Sequence, residues 1–69
     1  MITEAINILV SNKSLSFDQA ASAMDQIMSG QATPAQFGAF VVALRIKGET
    51  VDEIAGMASV MKDKATPVN

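Results

Sequence analysis

Between Phe37 and Leu44 the chain runs F-G-A-F-V-V-A-L without one polar side chain, and helix-stop signals stand on both sides of it. Thr33 suits an N-cap, Pro34 suits the first helical position, and Gln36 completes a capping box with Thr33. Gly48 offers a residue that closes a helix, and Arg45 and Lys47 put positive charge near its negative end. These signals predict a helix over Pro34–Lys47. A helix that is apolar all round is normally buried on most sides, so this segment is expected to be central, with the others wrapped around it.

The chain has 69 residues, which is one small domain, below the size at which a single core comfortably outweighs chain entropy. Ordering it costs roughly 100 kcal/mol at about 1.5 kcal/mol per residue. With neither cysteine nor histidine, disulfides are absent and the usual zinc ligands are missing. Apolar surface shared with a second chain or a neighbouring domain is therefore expected.

Signals for three more helices flank the apolar one. Thr3–Ser11 carries Ile2, Ile6, Leu9 and Val10 at helical spacing, with Thr3 as the expected cap. After the polar break Asn12-Lys13-Ser14, Ser16 and Gln19 form a second capping box. The helix that follows, Phe17–Ser29, stops at Gly30 and carries Ala20, Ala23, Met24, Ile27 and Met28 as one stripe. Thr50 and Glu53 form a third box before Val51–Lys64, whose expected inner stripe is Ile54, Met57, Ala58 and Met61. Lys62 and Lys64 favour the last turn of that helix. Thr66-Pro67-Val68 forces an extended exit. Strand alternation and hairpin dipeptides are lacking. The expected fold is all-α: a small four-helix orthogonal or antiparallel bundle with a central apolar helix, residues 1–64 forming the domain.

The chemistry-bearing inventory is poor. Without histidine, cysteine, tyrosine or tryptophan, the commonest general base and the strongest nucleophile are both missing. Asp52-Glu53 is the one adjacent carboxylate pair, and its place in a first helical turn is accounted for by capping and dipole compensation. Lys13 beside Ser11 and Ser14 reads as a solvated loop. The glycines at 30, 38, 48 and 56 are scattered, so there is no phosphate-binding loop. Met24/Met28 and Met57/Met61 could line a groove, but core filling is the plainer reading. Gly38, Ala39 and Ala43 permit a close backbone approach. Gly56 inside a helix costs about 1 kcal/mol relative to alanine, which suggests that something packs tightly there.

A net charge of −2 argues against nucleic-acid binding, and Asp52 and Glu53 would repel phosphates in a helix-turn-helix reading. An acidic carrier protein needs an Asp-Ser-Leu start that Ser14 and Ser16 lack. No apolar run is long enough to span a bilayer, and Glu4 in an N-terminus without a basic region does not suit a signal peptide. A cytoplasmic location is the expectation.

The segments I-M-S-G, A-Q-F-G-A-F, A-L-R-I-K-G-E-T and E-I-A-G, in this order and spacing from about Leu9 to Lys62, resemble the N-terminal helical domain of anthranilate phosphoribosyltransferase. Related domains open the pyrimidine nucleoside phosphorylases, but R-I-K-G-E-T favours the anthranilate enzyme. The resemblance implies one domain of a larger protein, in which a helical domain precedes an α/β catalytic domain. That enzyme transfers phosphoribose from phosphoribosyl pyrophosphate to anthranilate in tryptophan biosynthesis, with magnesium.

The family's glycine-rich diphosphate motif, metal-binding acids and anthranilate contacts are not in this sequence. No catalytic, cofactor-binding or metal-binding residue is therefore assigned. The resemblance further implies a hinge at Ala65, Thr66, Pro67 and Val68, and a homodimer through the first and third helices. Ile6, Leu9, Phe37, Phe40, Val41 and Leu44 are the expected contributors to that interface. It also implies that apolar surface covered in the full enzyme is exposed here. A stand-alone helical interaction module is the non-enzymatic alternative.

Overall fold

The computed structural model describes residues 1–65 and holds four helices, α1 (Ile2–Val10), α2 (Phe17–Met28), α3 (Pro34–Lys47) and α4 (Val51–Ala65). Among the described residues there is no strand, and the expected all-α four-helix bundle is the fold. Of the hinge positions, Ala65 is the last residue of α4, while Thr66, Pro67 and Val68 lie outside the described residues.

Three helix starts are set by reciprocal caps. Ser16 Oγ accepts from the Gln19 N–H at 3.1 Å while Gln19 Oε1 accepts from the Ser16 N–H at 2.9 Å. Thr33 and Gln36 repeat the pattern at 3.1 and 2.9 Å, and Thr50 with Glu53 makes the third box at 3.2 and 2.9 Å. The first helix departs from expectation. It starts one residue before Thr3, with Met1 at the N-cap and no side-chain cap. Gln26 Oε1, far away on α2, accepts instead from the Ile2 N–H at 2.6 Å. A partner so distant in sequence leaves no local signature, so Thr3 only looks like a cap. Ser16→Ala and Thr33→Ala are each expected to lower stability by about 1 kcal/mol. Thr3→Ala should stay within about 0.5 kcal/mol of the parent. Urea midpoints at an unchanged slope report the difference.

Helix α1 ends in a Schellman motif at Asn12, whose φ is 62°. The Lys13 N–H donates to the Ile8 carbonyl at 3.1 Å and the Asn12 N–H to the Leu9 carbonyl at 3.0 Å. Asparagine tolerates this left-handed position better than most residues. At the end of α3, Gly48 takes φ 92° and ψ 125°, a conformation that side chains rarely adopt.

Packing is most extensive between α2 and α4, then between α1 and α3, with α1 against α2 third. Gly56 lies against Ala20, and Lys64 Nζ reaches Asp25 at 3.3 Å, so α2 and α4 run the same way. The core is Ile2, Ala5, Leu9, Leu15, Ala20, Ala23, Phe40, Ala43 and Leu44. Met24 and Met57 pack against it, whereas Met28 and Met61 are exposed.

Two expectations are corrected here. The apolar third helix is not enclosed by its own chain. Only Phe40, Ala43 and Leu44 are buried on it, and it packs chiefly on α1 at one side of the bundle. Nor does α4 face inward with Ile54, Ala58 and Met61, all of which are exposed. Its inner stripe is Glu53, Gly56, Met57 and Val60, which has the same helical period turned by one residue. Gly56 explains the turn. A Cβ there would collide with the Phe17 carbonyl oxygen and come within 3.2 Å of both Ala20 Cβ and Ala21 N. The missing side chain is what lets α4 lie on α2.

Candidate functional site

Two features stand out from the rest of the bundle: a buried ion pair where three segments meet, and an apolar face left open on α1 and α3. The first is built around Glu53, which is 0% exposed. Its Oε2 accepts from the Leu15 N–H at 2.7 Å. Its Oε1 accepts from Lys47 Nζ at 2.8 Å and from the Thr50 N–H at 2.9 Å. Lys47, whose side chain is only 6% exposed, also donates to the Gly48 carbonyl at 2.8 Å and to Ser14 Oγ at 3.4 Å. One carboxylate therefore joins the α1–α2 loop, the end of α3 and the start of α4.

Burial acts to raise the Glu53 carboxyl. The Lys47 hydrogen bond, the Leu15 and Thr50 N–H groups and the Lys47 charge together outweigh it, holding the group below its ordinary value of 4.5. The folded state thus favours the ionised form, so the unfolded chain takes up the proton first as pH drops. The resulting stability is fully present above pH 4.5 and is lost as pH falls through the lower folded value. Melting temperature should be flat near neutral pH and fall below about pH 4.5, with a shallower fall in Glu53→Gln. Circular-dichroism melts of both proteins across that range check it.

This arrangement is structural rather than catalytic. Both carboxylate oxygens accept hydrogen bonds, the ammonium is shared among three acceptors, and both groups are buried, so neither is presented to a substrate. Among the described residues, no grouping of three acidic, histidine or cysteine side chains could hold a metal ion. The magnesium implied by the resemblance does not fit these residues, and no step is derived through it.

The second feature is the outer side of α3. Phe37 is 45%, Val41 38%, Val42 56% and Ile46 82% exposed, and Val10 at the end of α1 is exposed beside them. A cleft of about 330 Å³ runs between the C-terminal ends of the two helices, lined by Leu9, Val10, Asn12, Ala43, Ile46 and Lys47. Gly38 has open space where a Cβ would project, so the close approach it permits is not used within this chain. Adjoining exposed apolar groups, unlike isolated ones, are uncommon on the surface of a monomer.

The six residues expected at an interface are divided by the structure. Phe37 and Val41 are exposed, Ile6 is half-buried, and Leu9, Phe40 and Leu44 lie in the core. Of the buried three, Phe40 and Leu44 belong to the inner face of α3 and Leu9 lies on α1. Val10, Val42 and Ile46 are exposed as well, which an all-apolar helix does not reveal because its pattern does not show which face turns inward. The Lys47–Glu53 pair was also missed as a pair. Its trace is that Lys47 stands seven residues after Phe40, on the same face.

No helix among the described residues is long and apolar enough to cross a membrane. Residues 3–65 match the glycosyl transferase family, helical bundle domain. Over all 69 residues the chain is 59% identical to an anthranilate phosphoribosyltransferase of Dehalococcoides mccartyi, covering 20% of that protein. It is 60% identical over 67 residues to the enzyme so named in Chloroflexus aurantiacus, covering 97% of this chain and 20% of that one. Over 68 residues it is 57% identical to the one from Geotalea daltonii, covering 99% of this chain and 19% of the relative. The chain spans about a fifth of the length of these curated relatives.

Proposed function

Because the chain belongs to the glycosyl transferase family as its helical bundle domain, we propose that it is the N-terminal helical domain of an anthranilate phosphoribosyltransferase. In this reading it is a non-catalytic unit that pairs two subunits and leads into an α/β catalytic domain. The observation that carries the reading is the near-full-length identity to relatives of that name over only a fifth of their length. The residue inventory agrees: among the described residues, the buried charged pair Lys47–Glu53 serves the fold. Phosphoribosyl pyrophosphate, anthranilate and magnesium then belong to the remainder of the protein, beyond these helices. The chain supplied with all three is expected to give no phosphoribosyl transfer above background, and turnover by the purified chain would overturn the assignment.

Pairing uses the outer face of α3 with the end of α1. Phe37, Val41, Val42 and Ile46 supply the apolar area, with Val10 beside Ile46. The hinge begins at Ala65, where α4 ends. Val42→Glu and Ile46→Glu are exposed changes, so they should convert a dimer to a folded monomer with an unaltered circular-dichroism spectrum. Phe40→Glu, by contrast, buries a charge in the core and should unfold the chain. Native mass spectrometry and circular dichroism separate the two outcomes. An unchanged dimer in Val42→Glu and Ile46→Glu would place the interface elsewhere.

A further inference from the structure

We infer that the Glu53 carboxylate is a latch that fixes how the α1/α3 pair sits on the α2/α4 pair, and that these pairs move as two bodies when it opens. The inference rests on packing within this chain and is independent of the function proposed above. The two strongest helix contacts lie within the pairs. Between the pairs, α1 meets α2 along a smaller contact, and at one end of it the Ile2 N–H is held by Gln26. At the other end, the α1–α2 loop and the α3–α4 connector come together on Glu53.

The connector itself, Gly48 to Thr50, is held largely through the same pair, since the Gly48 carbonyl accepts from Lys47 Nζ at 2.8 Å and the Thr50 N–H donates to Glu53 Oε1 at 2.9 Å. Gly48 has positive φ with nothing near the position of a Cβ, and α3 and α4 make no extensive contact of their own. The geometry is that of a pivot at the Ile2–Gln26 end and a catch at the Leu15–Glu53 end. Breaking the catch frees the hydrogen bond to the α1–α2 loop and the one to the end of α3 at once. A buried ion pair suits this task because its value lies more in selecting one arrangement than in adding net stability.

The test separates orientation from stability. In Lys47→Met with Glu53→Gln, the charges go while an acceptor remains for a backbone N–H. Backbone residual dipolar couplings of the parent chain should fit one alignment tensor for all four helices. In the double variant, α1 with α3 and α2 with α4 should need two different tensors. A folded double variant that still fits one tensor would overturn the latch.

A second measurement on the parent chain holds even if that variant fails to fold. The Leu15 and Thr50 amides should exchange with solvent about tenfold or more faster than the Ala23 amide in the core, through an opening with little denaturant dependence. Exchange of all three at one rate, by global unfolding alone, would overturn it equally.

Discussion

Glu53→Ala is expected to leave much of the chain unfolded at room temperature. Removing one partner of a buried ion pair costs about 3–5 kcal/mol, because the other charge stays behind without its counterpart. Here the loss is wider than the pair. The Leu15 N–H at 2.7 Å and the Thr50 N–H at 2.9 Å lose their acceptor together with Lys47 Nζ. A single core in a chain of this size rarely supplies more than about 3–5 kcal/mol in all, so the deletion consumes most of the margin. Glu53→Gln, which keeps one carbonyl acceptor and removes the charge, should be milder. Urea unfolding followed at 222 nm measures both. A loss below about 1 kcal/mol for Glu53→Ala would mean that Lys47 and the Leu15 and Thr50 N–H groups are not left buried and unpaired by the change.

Gly56→Ala should destabilise although alanine is the better helix former. Propensity alone favours the change by about 1 kcal/mol. Against it stands a steric conflict, because the new Cβ would meet the Phe17 carbonyl oxygen and crowd Ala20 Cβ and Ala21 N at 3.2 Å. The obstacle is largely backbone, so it cannot rotate aside. Overpacking of this kind costs about 1–3 kcal/mol or more, which leaves a net loss that should lower the melting temperature by roughly 4–8 °C per kcal/mol.

Gly38→Ala is the matched control. In the monomeric Val42→Glu background it sits in a helix with open space around it, so the propensity gain of up to about 1 kcal/mol is unopposed there. The two glycine variants should therefore shift thermal midpoints in opposite directions. A rise in both would mean that α2 and α4 do not approach at Gly56 as described.

These residues also show what was legible in the chain. Capping boxes act within four residues, so Ser16/Gln19, Thr33/Gln36 and Thr50/Glu53 could be read directly, and α2 and α3 begin where those signals put them. The cap of α1 depends on Gln26 across the bundle and could not. Hydropathy misdirected α4 because its two fully turned-in positions are a glutamate and a glycine. One is accepted there through three hydrogen-bonding partners, the other through having no side chain. On α3 the pattern failed differently: with apolar residues on every side, the inner face at Phe40, Ala43 and Leu44 could not be told from the outer one at Val42 and Ile46. Segments that carried the family resemblance, R-I-K-G-E-T and E-I-A-G, contribute Lys47, Gly48, Thr50, Glu53 and Gly56 to the latch and the helix crossing. None of these five contributes a free reactive group.

The outer face of α3 decides the matter most directly through mass in solution. Sedimentation equilibrium of the unaltered chain across a dilution series should give twice the chain mass of 7.2 kDa, and Val42→Glu should give the single-chain mass while remaining helical. A single-chain mass for the unaltered protein at every concentration would contradict the assignment of this face to subunit pairing.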